Sequence, residues 1–183
     1  MILVLTAVMI LSGLVLATVS GALEPRITEN QERALAESLR SIFEDAQEPQ
    51  FTPVGDQEIP IWRATEAGSE LGFAARIEAT GYGGPIQLLI GVDTDLEQVI
   101  GIAVVESVET PGLGARIQEE SFQRQFEGLA AEEMIAAVKN EPADTDENEI
   151  QAISGATIST NAVVNAINTA LPDILETLER EEG

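Results

Sequence analysis

Three short stretches of this sequence combine residue types that could do chemistry. The first is Ser154-Gly155-Ala156-Thr157-Ile158-Ser159-Thr160, which sets hydroxyls among small residues directly ahead of a helical pattern. Small residues let a backbone come close to another group. Unpaired N–H groups and the dipole at a helix start suit a phosphate. Taken alone, the run also reads as an ordinary capped loop, with Ser159 or Thr160 as the N-cap of the following helix. The second stretch, Gly81-Tyr82-Gly83-Gly84-Pro85-Ile86, allows close backbone approach or a tight turn. The third is Glu109-Thr110-Pro111-Gly112-Leu113-Gly114, where Pro111-Gly112 fits the two corners of a type II turn. A turn needs only those two residues, so Glu109, Thr110, Leu113 and Gly114 are more than the geometry requires.

Composition narrows the chemistry these patches can perform. The chain has 183 residues with neither Cys nor His. Thiolate catalysis, disulfides, iron–sulfur ligation and imidazole metal ligation are therefore excluded, as is a Ser-His-Asp triad. Redox chemistry would have to come from an organic cofactor. Thirty-two acids against nine basic residues give a net charge of -23, which repels nucleic acid phosphates. Lys139 is the sole lysine. The acidic stretch at residues 144–149 lacks the glycine and the closing glutamate of an EF-hand loop and reads as a solvated loop, with no metal site expected.

The elements that must position the three patches follow from periodicity. Residues 29–45 predict an amphipathic helix with Leu35, Leu39, Ile42 and Phe43 at helical spacing. Pro49, Pro53 and Gly55 mark a loop. Strands are predicted over residues 59–63, 71–79, 86–92 and 98–105, with the last pair forming a β-hairpin turned at Asp93-Thr94-Asp95. Residues 120–126 and 131–139 predict short helices. The last helix is expected over residues 161–180, with Pro172 kinking or splitting it. The fold class is α+β, a small antiparallel sheet flanked by helices in a single domain.

Ahead of that domain, residues 2–23 carry no charge. As a helix they would span roughly 33 Å, enough to cross a bilayer. A cleaved signal peptide ending near Val19-Ser20-Gly21-Ala22 is the competing reading, but the apolar run exceeds the usual h-region and no basic segment precedes it. The expected organisation is one transmembrane anchor at 1–23 and a domain at 24–183. Arg26, Arg33 and Arg40 follow the span, so a positive-inside count alone would place the domain in the cytoplasm.

In order and rough spacing, the three patches resemble the FMN-binding domain shared by two membrane-complex proteins. One is the G subunit of the Rnf ferredoxin:NAD+ oxidoreductase complex. The other is the C subunit of the sodium-translocating NADH:quinone oxidoreductase. Gly81 to Ile86, Gly91-Val92-Asp93 and Glu109 to Gly114 look closer to the Rnf member. The resemblance implies covalent FMN, esterified through its phosphate to Thr157, with Ser154, Gly155 and Ala156 forming the sequence that a flavin transferase recognises. Glu109, Thr110, Leu113 and Gly114 would lie against the flavin ring and Tyr82 on or near it. One departure stands out: Gln151 occupies a position where the family often has Asp. The implied function is electron relay in an ion-pumping membrane complex, with other integral membrane subunits as partners and the domain on the periplasmic or extracellular side. Two alternatives stay open, a flavin-free anchored binding or assembly module and a stand-alone extracytoplasmic flavoprotein reductase.

Overall fold

Alternating apolar residues in the middle of the chain build a five-stranded antiparallel meander, in the order β1 (Gln50–Pro53), β2 (Ile61–Glu66), β3 (Ser69–Thr80), β4 (Pro85–Val92) and β5 (Val99–Ser107). The computed structural model describes residues 1–55, 58–139 and 142–182, without the side chains of residues 7, 8, 19–25, 28 and 182. The β3–β4 register pairs Phe73 with Val92, Ala75 with Ile90, Ile77 with Leu88 and Ala79 with Ile86. Because side chains alternate along a strand, these eight share one face. That face is buried against Val163, Ile167, Leu171, Ile174 and Leu178 of helix α3 (Thr157–Glu182).

The opposite face of the sheet carries a second apolar layer. Leu39, Ile42 and Phe43 are buried there, at the end of helix α1 (Ile2–Ile42) and just beyond it. Gly91 in β4 has no alternative, because a Cβ at that position would overlap Ile42 Cγ2. Phe43 packs against Phe51 of β1, with ring centroids 5.9 Å apart. The hairpin turn expected after Val92 is formed by Asp93, whose Oδ1 accepts the N–H groups of Glu97 and Gln98 at 2.9 and 3.1 Å.

The short helix expected over residues 120–126 forms as α2 (Glu120–Gln123), followed by a 3₁₀ turn at Arg124–Phe126. Four other expectations need correction. Residues 131–139 do not form a helix. Instead β6 (Ala136–Val138) pairs in parallel with β7 (Glu149–Gln151). Asn148 enforces this: its Oδ1 accepts the Ala130 N–H at 2.8 Å, and its Nδ2 donates to the carbonyls of Ala130 and Glu133 at 3.2 and 3.1 Å. Helical propensity loses to those tertiary bonds. The segment at Pro49 to Gly55 contains β1, an edge strand where the missing N–H of Pro53 does little harm. Helix α3 starts at Thr157 and runs unbroken through Pro172. The cost of proline inside a helix is about 3 kcal/mol, and here it is offset by burial of Leu171, Ile174 and Leu175 on either side. The expected amphipathic helix is the final part of the single helix α1.

The chain divides into two units, Met1–Glu37 and a second from Ser38 onward. The first is helical, and Ile2, Leu3, Met9, Ile10, Leu14 and Leu16 are all exposed. Among the described residues no helix is long and apolar enough to cross a membrane. The uncharged run at residues 2–23 is interrupted by residues 7, 8 and 19–23, whose side chains lie outside the described set, and Val19-Ser20-Gly21-Ala22 falls among them.

Asn148 is buried and sits at a positive φ of 57°. Replacing it with Ala strands three backbone groups of residues 130–133 and should lower stability by about 2–4 kcal/mol. Urea unfolding of the Asn148→Ala chain checks this. A loss under about 0.5 kcal/mol would show that the parallel pair holds without it.

Candidate functional site

The three patches, far apart in sequence, meet around one carboxylate. Residues 81–84 connect β3 to β4, with Gly81 N–H donating to the Gly84 carbonyl at 2.9 Å. Residues 109–114 follow β5 and turn at Pro111-Gly112. Gly112 has φ +76°, and the Leu113 N–H donates to the Thr110 carbonyl at 3.1 Å. This is the expected type II turn. Residues 153–156 form a further turn, with Gly155 at φ +83° and the Ala156 N–H donating to the Ile153 carbonyl at 3.0 Å. That turn delivers Thr157 as the first residue of α3.

Glu109 is only 6% exposed and joins all three. Its Oε1 accepts the Gly83 N–H at 2.8 Å, and its Oε2 accepts the Ser159 hydroxyl at 2.9 Å. Its own N–H donates to Ser107 Oγ at 3.2 Å. A Cβ on Gly81 would overlap Oε1, and one on Gly114 would overlap both Oε2 and the Ser159 hydroxyl. The glycines in the first two motifs thus clear space for this side chain. A buried carboxylate is costly unless its oxygens are satisfied, and here both are.

The hydroxyls of residues 154–160 have different fates. Ser159 is 2% exposed and committed to Glu109. Thr160 is fully buried: its Oγ1 donates to the Ala156 carbonyl at 3.1 Å and accepts the Ile153 N–H at 3.2 Å. Neither is the N-cap expected from the sequence, because the helix begins two residues ahead of Ser159. Ser154 is exposed on the turn. Thr157 is half-buried, and among the described residues its hydroxyl makes no hydrogen bond. The N–H groups of Thr157, Ile158 and Ser159 likewise have no partner among the described residues, as the first turn of a helix leaves them.

These groups open onto a hollow of about 460 Å³, lined by Tyr82, Glu109, Thr110, Leu113, Gly114, Gly155, Ala156 and Thr157 together with Lys139, Ile158 and Ser159. Its size falls within the range of small-molecule and cofactor sites. Of the expected site residues, only Ser154 lies outside the lining. Tyr82, Leu113 and Ile158 are exposed apolar side chains at its rim. Lys139 and Ile158 were missed. The predicted helix over 131–139 concealed Lys139, and nothing in the local pattern around Ile158 distinguishes it from a core residue. Two larger hollows, of about 540 and 620 Å³, lie at Ser41 to Glu127 and between β3 and α3. Neither contains any of the three motifs.

The FMN-binding domain family matches residues 81–172, which contain all three motifs, and the chain belongs to that family. Over most of its length it is similar to the G subunits of ion-translocating complexes. The G subunit of the proton-translocating ferredoxin:NAD(+) oxidoreductase complex of Clostridium ljungdahlii is 31% identical across 93% of this chain and 88% of its own. The G subunit of the ion-translocating oxidoreductase complex of Methanosarcina acetivorans is 33% identical across 78% and 74%. Among solved structures, the C subunit of the Na(+)-translocating NADH-quinone reductase from Parabacteroides distasonis superposes with a TM-score of 0.64 at 22% identity, covering 82% of this chain and 92% of that one. NqrC of Shewanella oneidensis gives 0.58 at 18%, covering 69% and 65%. These two show a shared fold, and the resemblance drawn from the motifs holds.

The geometry around Glu109 yields a paired prediction. Gly114→Ala should destabilise the domain by about 2–4 kcal/mol, because the new methyl collides with a buried carboxylate that has nowhere to move. Gly112→Ala, where a Cβ meets nothing within 4 Å, should cost only the positive φ, about 1 kcal/mol. Chemical denaturation of the two variants checks the order, and equal losses would contradict the packing described.

Proposed function

We propose that this chain carries FMN as a phosphoester on Thr157 and relays electrons within a membrane-bound ion-translocating ferredoxin:NAD(+) oxidoreductase complex. The observation that carries the reading is the state of Thr157. Of the two hydroxyls in residues 154–160 that line the hollow, Ser159 is already bonded and Thr157 has no partner among the described residues, and Thr157 stands beside unpaired helix N–H groups that can receive a phosphate.

The residues present fit the cofactor. Leu113, Ile158 and Tyr82 offer apolar surface to a flat ring, and Thr110 adds polar character at the same hollow. Bound FMN supplies one- and two-electron transfer, which no side chain here provides. The chain's part is to bind, orient and retain. Gly155 at positive φ keeps the turn tight, Ala156 is small and buried, and Glu109 locks the two flanking loops onto α3. A covalent tether suits a carrier facing the periplasm or cell exterior, since it cannot be lost there.

Residues 2–23 are proposed as a single-pass anchor. Its support is the uncharged run itself and the exposure of Ile2, Leu3, Met9, Ile10, Leu14 and Leu16, apolar positions that only lipid or partner helices would cover. The other membrane subunits of the complex and a flavin transferase are the partners this reading requires. Gln151 stands where relatives in the resemblance often carry Asp. Its backbone is held by Gln125, with Gln151 N–H donating to Gln125 Oε1 at 2.7 Å, so the substitution leaves β7 in place.

Flavin fluorescence of the denatured chain on a gel tests the ester. The native-host protein should give a fluorescent band that Thr157→Ala abolishes and Ser159→Ala retains. A dark native band would move the flavin-free binding or assembly module to the front. Deleting residues 2–23 should shift the chain from the membrane to the soluble fraction, and persistence in the membrane would rule this segment out as the anchor.

A further inference from the structure

We propose that Lys139 is the counter-charge for the flavin phosphate and makes the site select a phosphorylated flavin over riboflavin. The inference deepens the flavin reading above and rests on it. Lys139 is the sole lysine in a chain with 32 acids. Among the described residues, Glu109 and Lys139 are the two charged residues lining the hollow. Glu109 is occupied by Gly83 and Ser159, whereas Lys139 forms no ion pair among the described residues.

Lys139 is exposed, and the fold sets it in the wall of the hollow beside Thr157. β6 pairs in parallel with β7, and the register continues past the strands, where the Ala152 N–H donates to the Val138 carbonyl at 2.9 Å. Lys139, the next residue, is thereby set alongside the turn at residues 153–156 that leads into Thr157. A chain of net charge -23 repels an approaching phosphate at long range. Three unpaired N–H groups contribute partial charges, and one ammonium adds a full one at the place where the anion must settle. Riboflavin, which has the same ring and no phosphate, gains nothing from that ammonium.

The test uses the full chain produced without flavin transferase, titrated with FMN and with riboflavin and followed by flavin fluorescence. Lys139→Gln should weaken FMN binding by about 10-fold or more and leave riboflavin binding within about twofold. Lys139→Arg should keep most of the FMN affinity. Inorganic phosphate should compete with FMN but not with riboflavin, and high salt should narrow the gap between wild type and Lys139→Gln. Equal weakening of both flavins would assign Lys139 to the ring and overturn the proposal, as would unchanged FMN affinity. Should the flavin-free chain bind neither, ³¹P NMR of the flavinylated chain decides. A phosphorus resonance displaced in Lys139→Gln supports the proposal, and an identical one refutes it. Failure of the ester reading is separately visible as the absence of any covalently retained phosphorus, while the titration still reports on Lys139.

Discussion

The site depends on one buried carboxylate. Glu109 holds residues 81–84 through the Gly83 N–H and holds α3 through the Ser159 hydroxyl. Its own backbone leads directly into the Pro111-Gly112 turn. Three loops from different parts of the chain are thus bound to one side chain, and the hollow is the space left between them. The constraint also explains the composition of the motifs. Gly81 and Gly114 are where a methyl would displace the carboxylate, and Gly83 is where one would press on the Val108 carbonyl. Both oxygens of one side chain are thus bonded, each to a different segment, which makes the joint in a chain without cysteine.

The same bonding sorts the hydroxyls. A run with Ser154, Thr157, Ser159 and Thr160 offers four chemically similar oxygens. Folding commits Ser159 to Glu109 and Thr160 to the helix start, and leaves Ser154 exposed outside the hollow. Of these four, Thr157 is the one that combines a place in the lining with a hydroxyl unbonded among the described residues. Site selection on this account is a property of the folded domain and not only of the linear motif. The helix N–H groups beside Thr157 remain open because the turn at residues 153–156 ends in direct contact with the helix and leaves no capping side chain.

Local pattern made the sheet legible. Residues 71–79, 86–92 and 98–105 carry the alternation and β-branching that a half-buried strand needs, and all three became strands of the meander. The residues lining the hollow were legible because their composition exceeded what turns require: Glu109, Thr110, Leu113 and Gly114 all line it beside Tyr82, Gly155, Ala156 and Thr157. What failed depended on distant partners. Residues 131–139 have helical spacing, but their conformation is set by Asn148 from one side and by Asn168, whose side chain bonds the Ile135 N–H and carbonyl, from the other. Neither bond leaves a trace in the local sequence, and with them went the position of Lys139. The start of α3 was misplaced for a similar reason, since Ser159 and Thr160 look like caps until Glu109 and Ile153 are brought to them.

The central claim is that the motifs enclose one flavin site with Thr157 as its point of attachment. A crystal structure of the protein purified from its native host tests this most directly. The account predicts density for a phosphate continuous with Thr157 Oγ1, a flavin ring against Leu113 and Tyr82, and Ser159 still bonded to Glu109. Density joined to Ser159 or Thr160, or a flavin seated in the hollow at Ser41 to Glu127, would contradict it.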